Sequence, residues 1–253
     1  MKRVTAFVGS ARKKHTHDAV VQFLSNLHAI GDVEHEIVRL SDYRLEPCRG
    51  CKVCFLKGEE YCPLKDDRDV LIGKMIASDG VIFASPNYMF QVSALMKLFI
   101  DRLGYGGHRP FCFGKTYTGI VTQGFYGGDK ILDYLDFVAF GLGFNTVKGS
   151  VITALEPMSE KEQHKTDRAL AGQATRYYAK LEKQDYPVPT LFKLMAFRMG
   201  RTSVKREFDN GSRDYTYYSD RGWLESDYWY PTRLGMLKKG AGKLFDAMAA
   251  RAR

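Results

Sequence analysis

Val4-Thr5-Ala6-Phe7-Val8-Gly9-Ser10-Ala11-Arg12-Lys13-Lys14-His15-Thr16 is the stretch on which the architecture turns. An apolar, β-branched run gives way to a glycine, a hydroxyl residue, a group of cations and then helix-forming sequence. That pattern reads as a strand handing the chain to a helix N-terminus, where free backbone N–H groups and the helix dipole favour an anion. Ser10 and Thr16 add hydroxyl donors, and Thr16 is placed to cap the helix. Arg12 offers a planar fork suited to phosphate oxygens. The loop has neither the Gly-Lys-Ser/Thr ending of a Walker A loop nor the Gly-x-Gly-x-x-Gly of a dinucleotide fingerprint. Taken alone, it also reads as a solvated basic loop with an ordinary cap.

Outward from this turn, strand-like and helix-like segments alternate. Apolar strand candidates are 3–8, 34–40, 80–84, 116–122 and 146–153, and helical patterns fall at 17–30, 67–77, 93–103, 130–141 and 159–183. Five βα units predict an α/β fold, a doubly wound parallel sheet covered on both faces. Right-handed crossovers leave the flavodoxin-like strand order 2-1-3-4-5 as the natural choice, with the ligand at the switch point beside strands 1 and 3. We therefore expect one domain over 1–183 and an extension over 184–253. Pro187 and Pro189 break the pattern, and Tyr215, Tyr217, Tyr218, Trp223, Tyr228, Trp229 and Tyr230 follow. So aromatic a segment is expected to pack on the core or a partner subunit rather than form a disordered tail. A last helix is expected at 237–250.

Two further loops are expected at the same sheet edge. Ser85-Pro86-Asn87-Tyr88-Met89-Phe90-Gln91 follows strand 3, and its aromatic and thioether side chains offer surface for a planar ring system. Thr122-Gln123-Gly124-Phe125-Tyr126-Gly127-Gly128 follows strand 4, and its glycines allow close backbone approach. A phosphate loop and a ring-binding loop side by side point to a flavin.

The five cysteines are Cys48, Cys51, Cys54, Cys62 and Cys112, and the first four form Cys-x2-Cys-x2-Cys-x7-Cys followed by Pro63. Such spacing suits a 4Fe-4S cluster better than the paired knuckles of structural zinc. Free thiols shaping a loop are the alternative. Cys112 stands apart as a packed thiol.

Composition excludes several classes. No apolar run reaches the about 18–20 residues of a membrane span. The residues before Val4 do not resemble a secretory signal, which predicts a cytoplasmic protein. The net charge of +9 comes from 38 Lys and Arg spread along the chain without a basic block. A solvated basic surface accounts for it, a phosphate-bearing ligand fits it, and no nucleic-acid module is present.

As a set these residues resemble the NAD(P)H-dependent FMN reductases of the flavodoxin-like superfamily, and more narrowly the iron–sulfur flavoproteins. The resemblance spans about residues 1–180 and rests on Gly9-Ser10-Ala11-Arg12 with Thr16, the four cysteines with Asp66-Asp67, Ser85-Pro86-x-Tyr88, and Val92-Ser93-Ala94-x-x-Lys97-x-Phe99-Ile100-Asp101-Arg102. It implies FMN bound non-covalently in a homodimer or homotetramer. Phosphate contacts would fall on Ser10, Arg12 and Thr16. Ring contacts would fall on Pro86, Asn87, Tyr88, Met89 and Phe90, with Thr122 and Gly124 closing the site. Asp101 and Arg102 are expected to be structural. The narrower branch implies a 4Fe-4S cluster on Cys48, Cys51, Cys54 and Cys62. The activity implied is FMN-dependent oxidoreduction with NAD(P)H as donor and no catalytic acid or base. An electron carrier served by a ferredoxin-like partner is the alternative.

Overall fold

The apolar run that opens the chain is a strand buried on both sides. The elements follow as β1 (Lys2–Val8), α1 (His15–Ile30), β2 (Val33–Arg39), α2 (Val53–Leu56), α3 (Arg68–Ala77), β3 (Gly80–Tyr88), β4 (Gln91–Val92), α4 (Ala94–Arg102), β5 (Thr116–Gln123), α5 (Gly128–Gly141), β6 (Asn145–Thr153), α6 (Glu160–Leu181), α7 (Leu191–Glu207), α8 (Arg213–Asp220) and α9 (Met236–Arg251). The structure, a computed structural model, describes residues 1–208 and 210–251. Its residues form two compact units: Met1–Cys48 with Leu64–Gln184, and Arg49–Pro63 with Asp185–Arg253. Among the described residues no helix is long and apolar enough to cross a membrane.

In the first unit, five parallel strands run in the order β2-β1-β3-β5-β6. The sheet has a sixth strand, β4, antiparallel to the end of β3. The expected five-stranded order 2-1-3-4-5 is corrected to six strands. The physical reason is a tight hairpin: β3 extends through Ser85-Pro86-Asn87-Tyr88, then Met89 and Phe90 at φ 50° and 63° turn the chain back onto it. Two consecutive positive φ values make a turn that normally calls for Asn or Gly, so nothing in the sequence announced it.

Side chains alternate across the sheet with the period of two that a strand imposes. Val4, Ala6 and Val8, with Ile82, Ala84 and Ile120, face α1 and α6, meeting Phe23, Leu27, Leu170 and Tyr177. Phe7, Phe83 and Tyr117 point to the other face. There Phe99 of α4 lies 5.0 Å from the Phe7 ring, and Phe83 meets Tyr117 edge-on at 5.3 Å. α6 begins with a capping box: the Ser159 side chain accepts from Glu162 N, and the Glu162 carboxylate accepts from Ser159 N.

The β5–β6 ladder slips between Thr118 and Ile120. The fully buried Gln173 of α6 repairs the break, its Nε2 donating to Thr118 Oγ1 at 2.8 Å and to Gly119 O at 3.0 Å. Gly149 lies flush against this bulge, where a Cβ would sit 2.2 Å from Gly119 O.

Either side of the cysteine segment, the chain is clipped together within the first unit. Arg44 N donates to Asp67 at 2.7 Å and Asp67 N to Arg44 O at 3.0 Å. Glu46 N donates to Asp66 at 2.8 Å, and Arg102 holds both the Asp66 carboxylate and Glu46 O. The Arg102 and Asp66 side chains are 2% and 1% exposed. Burial alone would raise the Asp66 carboxyl. The Glu46 amide, the Arg102 guanidinium and the Arg68 amide outweigh it and hold the group below its ordinary value.

The second unit packs α7 against α9. Arg198 and Arg201, both buried, share Asp246 of α9 at 2.6 and 2.7 Å. Thr190 caps α7 and Ser212 caps α8. These two helices were not anticipated, although Thr190 and Ser212 were visible in the sequence as cap residues. The final helix begins at Met236, one residue before its expected start.

Two outcomes follow. Asp66→Asn leaves Arg102 as an uncompensated buried charge and should cost about 3–5 kcal/mol in urea unfolding at neutral pH. Because the folded-state value of Asp66 is depressed, its stabilisation is present above the ordinary carboxylate value of 3.8 and lost as pH falls below it, so the two proteins should converge in stability in acid. Gly149→Ala should lower stability by roughly 1–3 kcal/mol through overpacking against the Gly119 carbonyl, while Gly172→Ala on half-buried α6, where a Cβ meets only the far end of the Arg176 side chain at 3.4 Å, should not destabilise.

Candidate functional site

A cleft opens at the C-terminal ends of β1, β3 and β5. It is lined by Ser10, Arg12, Lys14, His15, Thr16, Pro86, Asn87, Tyr88, Thr122, Gln123, Gly124 and Ala154. Eight of the ten residues expected to hold the flavin are thus brought together, from loops that are far apart in sequence. Met89 and Phe90 are not on the wall. They form the hairpin turn beside it, with the Phe90 ring 5.3 Å from that of Tyr126 and tilted by 32°.

The anion end is built by the first loop. α1 starts at His15, and its N-cap is Lys14, which offers no side-chain cap. This corrects the expectation that Thr16 caps the helix: Thr16 already lies inside it. The uncapped first-turn N–H groups are therefore left for a ligand. Thr16 and Thr122 are buried, and their hydroxyls meet at 2.6 Å. That contact uses one hydroxyl proton of two, so the second is available to an acceptor in the cleft. Ser10 Oγ donates to Arg12 O at 3.1 Å and fixes the turn. Arg12 and Lys14 supply positive charge around it, and His15 adds a ring nitrogen.

The loop is held in place from below. Ser93 Oγ donates to Gly9 O at 2.5 Å and accepts from Met96 N, capping α4. Ser93 N in turn donates to Ser85 Oγ at 2.9 Å. Gly9 fits because a Cβ there would meet Met96 Cβ and Ser93 Oγ at 2.8 Å. The Val92-Ser93-Ala94 segment thus joins the anion loop to the hairpin.

At the other end, Asn87 Nδ2 donates to Tyr126 O at 2.9 Å, tying β3 to the loop after β5. Gln123 Oε1 accepts from Gly128 N at 2.7 Å and shapes that loop. Tyr88, Phe90, Phe125 and Tyr126 are all exposed here. The cleft therefore runs from a cationic, amide-rich end to an aromatic end, the polarity that a phosphorylated ring compound requires. FMN is such a compound, and the donors present suit its phosphate.

Sequence reasoning did not single out Lys14, His15, Gln123 or Ala154 as lining residues. The first three lie in loops already of interest. Ala154 carries no chemical signal. Glu156 was also missed: its carboxylate lies 2.9 Å from His15 Nε2 and 3.7 Å from Lys14 Nζ, bracing the anion loop from beyond β6.

The cysteine motif is less organised. Cys51, Cys54 and Cys62 belong to the second unit and Cys48 to the first. No disulfide joins them. Among the described residues no group of three or more His, Cys, Asp or Glu is arranged to hold a metal ion. Cys112 is fully buried, and desolvation raises its thiol well above the ordinary range.

An iron–sulfur flavoprotein of Archaeoglobus fulgidus is 34% identical over 163 residues, covering 59% of this chain and 71% of that protein. One from Methanocaldococcus jannaschii is 38% identical over 100 residues, covering 40% of this chain and 51% of its own. Among solved structures, RosB with bound 8-demethyl-8-formylriboflavin-5'-phosphate superposes with a TM-score of 0.60 at 12% identity, covering 93% of this chain and 92% of RosB. A flavone reductase gives 0.55 at 16%, covering 73% and 66%. At such identities the structural likeness speaks for the fold alone. The profile of the NADPH-dependent FMN reductases matches residues 2–156, and the chain belongs to that family.

Proposed function

We propose that this chain is an FMN-dependent oxidoreductase that draws electrons from NADH or NADPH and passes them to a separate acceptor. The observation that carries this reading is the cleft, in which an uncapped helix N-terminus and an exposed aromatic rim lie at opposite ends of one cavity at the switch point. When bound, FMN supplies the two-electron chemistry. The protein's part is to bind and orient. The α1 amides, Ser10, Arg12 and Thr16 hold the phosphate, assisted by Lys14 and His15. Pro86, Asn87 and Tyr88 bear on the ring from one side, with Met89 and Phe90 shaping the turn, while Thr122 and Gly124 close the other. The exposed Tyr88, Phe125 and Tyr126 offer flat surface to a nicotinamide donor. No side chain is required as acid, base or nucleophile. By family resemblance we take the working form to be a homodimer or homotetramer, which light scattering would read.

A second reading has a specific ground. The four-cysteine motif, together with the iron–sulfur flavoproteins among the relatives, favours a 4Fe-4S cluster and a ferredoxin-like electron partner. Stoichiometric iron and sulfide in protein purified without oxygen would support this reading, and their absence would leave a reductase whose thiols only shape a loop.

For the leading reading, purified chain should carry FMN or take it up, and should then oxidise NADH or NADPH with a simple electron acceptor. A chain that neither retains nor regains FMN sinks the proposal. Thr16→Val removes one hydroxyl and strands that of Thr122, so FMN affinity measured by flavin fluorescence should fall about tenfold, in line with the roughly 1–2 kcal/mol expected for a lost buried hydrogen bond.

A further inference from the structure

The second unit has a cavity of its own, formed by the turn that follows α8. Arg221, Trp223, Asp227, Trp229 and Tyr230 are among its lining residues. Its walls are preset. Trp223 N donates to Tyr218 O at 2.8 Å, and Ser226 Oγ donates to Tyr228 O at 2.9 Å. The buried Arg201 donates to Ser226 O at 2.5 Å, and Arg198 to Asp227 at 2.8 Å. The rings lock one another edge to face: Trp223 against Tyr218 at 5.2 Å and 90°, Tyr228 against Tyr230 at 4.9 Å and 88°. A planar guest entering such a wall meets stacking surface without having to order it first.

Arg221 supplies the polar element. Its guanidinium carbon lies 3.6 Å from the centre of the Tyr217 ring and 5.8 Å from that of Trp223. Stacking uses the face of the guanidinium and leaves its edge donors unspent. Among the described residues Arg221 makes no ion pair, whereas Asp227 on the same cavity is already neutralised by Arg198. An oriented cation beside aromatic walls selects both flatness and negative charge.

We propose that this cavity binds a small planar aromatic anion, its ring against Trp223, Trp229 and Tyr230 and its acidic group on the Arg221 fork. The site is separate from the FMN reading and does not depend on it. Naphthoate and its neutral isostere naphthamide, titrated calorimetrically into the FMN-saturated full chain, test the idea. Naphthoate should bind at least about tenfold tighter, the gain expected of a charge-assisted bidentate contact. Arg221→Gln, a change at an exposed position, should erase that difference with FMN content unchanged, and Trp229→Leu should weaken both ligands. Equal binding of the two ligands to the unmodified protein, no heat from either, or a preference that survives Arg221→Gln would each overturn the proposal.

Discussion

A parallel sheet buried on both faces cannot carry chemistry in its body, and that constraint governs the first unit. Backbone groups along the strands are committed to one another, and the faces are committed to α1 and α6 on one side and the Phe7–Phe83–Phe99–Tyr117 cluster on the other. Only the strand ends are free to present unpaired donors. Ser10, Thr16, Asn87, Thr122 and Gly124 therefore come together although more than a hundred residues separate the first from the last. The hydroxyl contact between Thr16 and Thr122 is the most direct expression of this, since it ties the start of a helix to the end of a strand two positions away in the sheet.

What the sequence disclosed follows the same logic. Strands buried on both faces read as continuous apolar runs, so β1, β3 and β5 were legible, and the helices between them showed their period. The anion loop was legible because a strand, a glycine, cations and a helix occur in immediate succession. The hairpin was not. Its turn places Met and Phe where glycine or asparagine is usual, so the local code was silent and tertiary packing decided. Thr16 was misread as a cap because the helix begins one residue before it, a boundary set by packing rather than by any cap. Glu156 and Ala154 were invisible for a different reason: nothing in a loop beyond the last strand says that it will return to the first.

The two units handle positive charge differently. In the first, Arg102 is buried and matched by a carboxylate, so it serves structure. In the second, Arg198 and Arg201 do the same with Asp246, whereas Arg221 is stacked and left unmatched. A net charge of +9 is thus not one property. It divides into cations that hold the fold, cations such as Arg12 that edge the cleft, and a solvated remainder.

The clip formed by Arg44, Glu46, Asp66, Asp67 and Arg102 has a consequence for the segment it brackets. Joining the two feet of a loop costs an entropy that grows only slowly with the number of residues between them, and the contacts of the clip offset it. The cysteine segment is therefore a cassette. Its residues can be lengthened, rearranged or recruited to new chemistry in the course of evolution while the clip, and the register of the strands behind it, stay as they are.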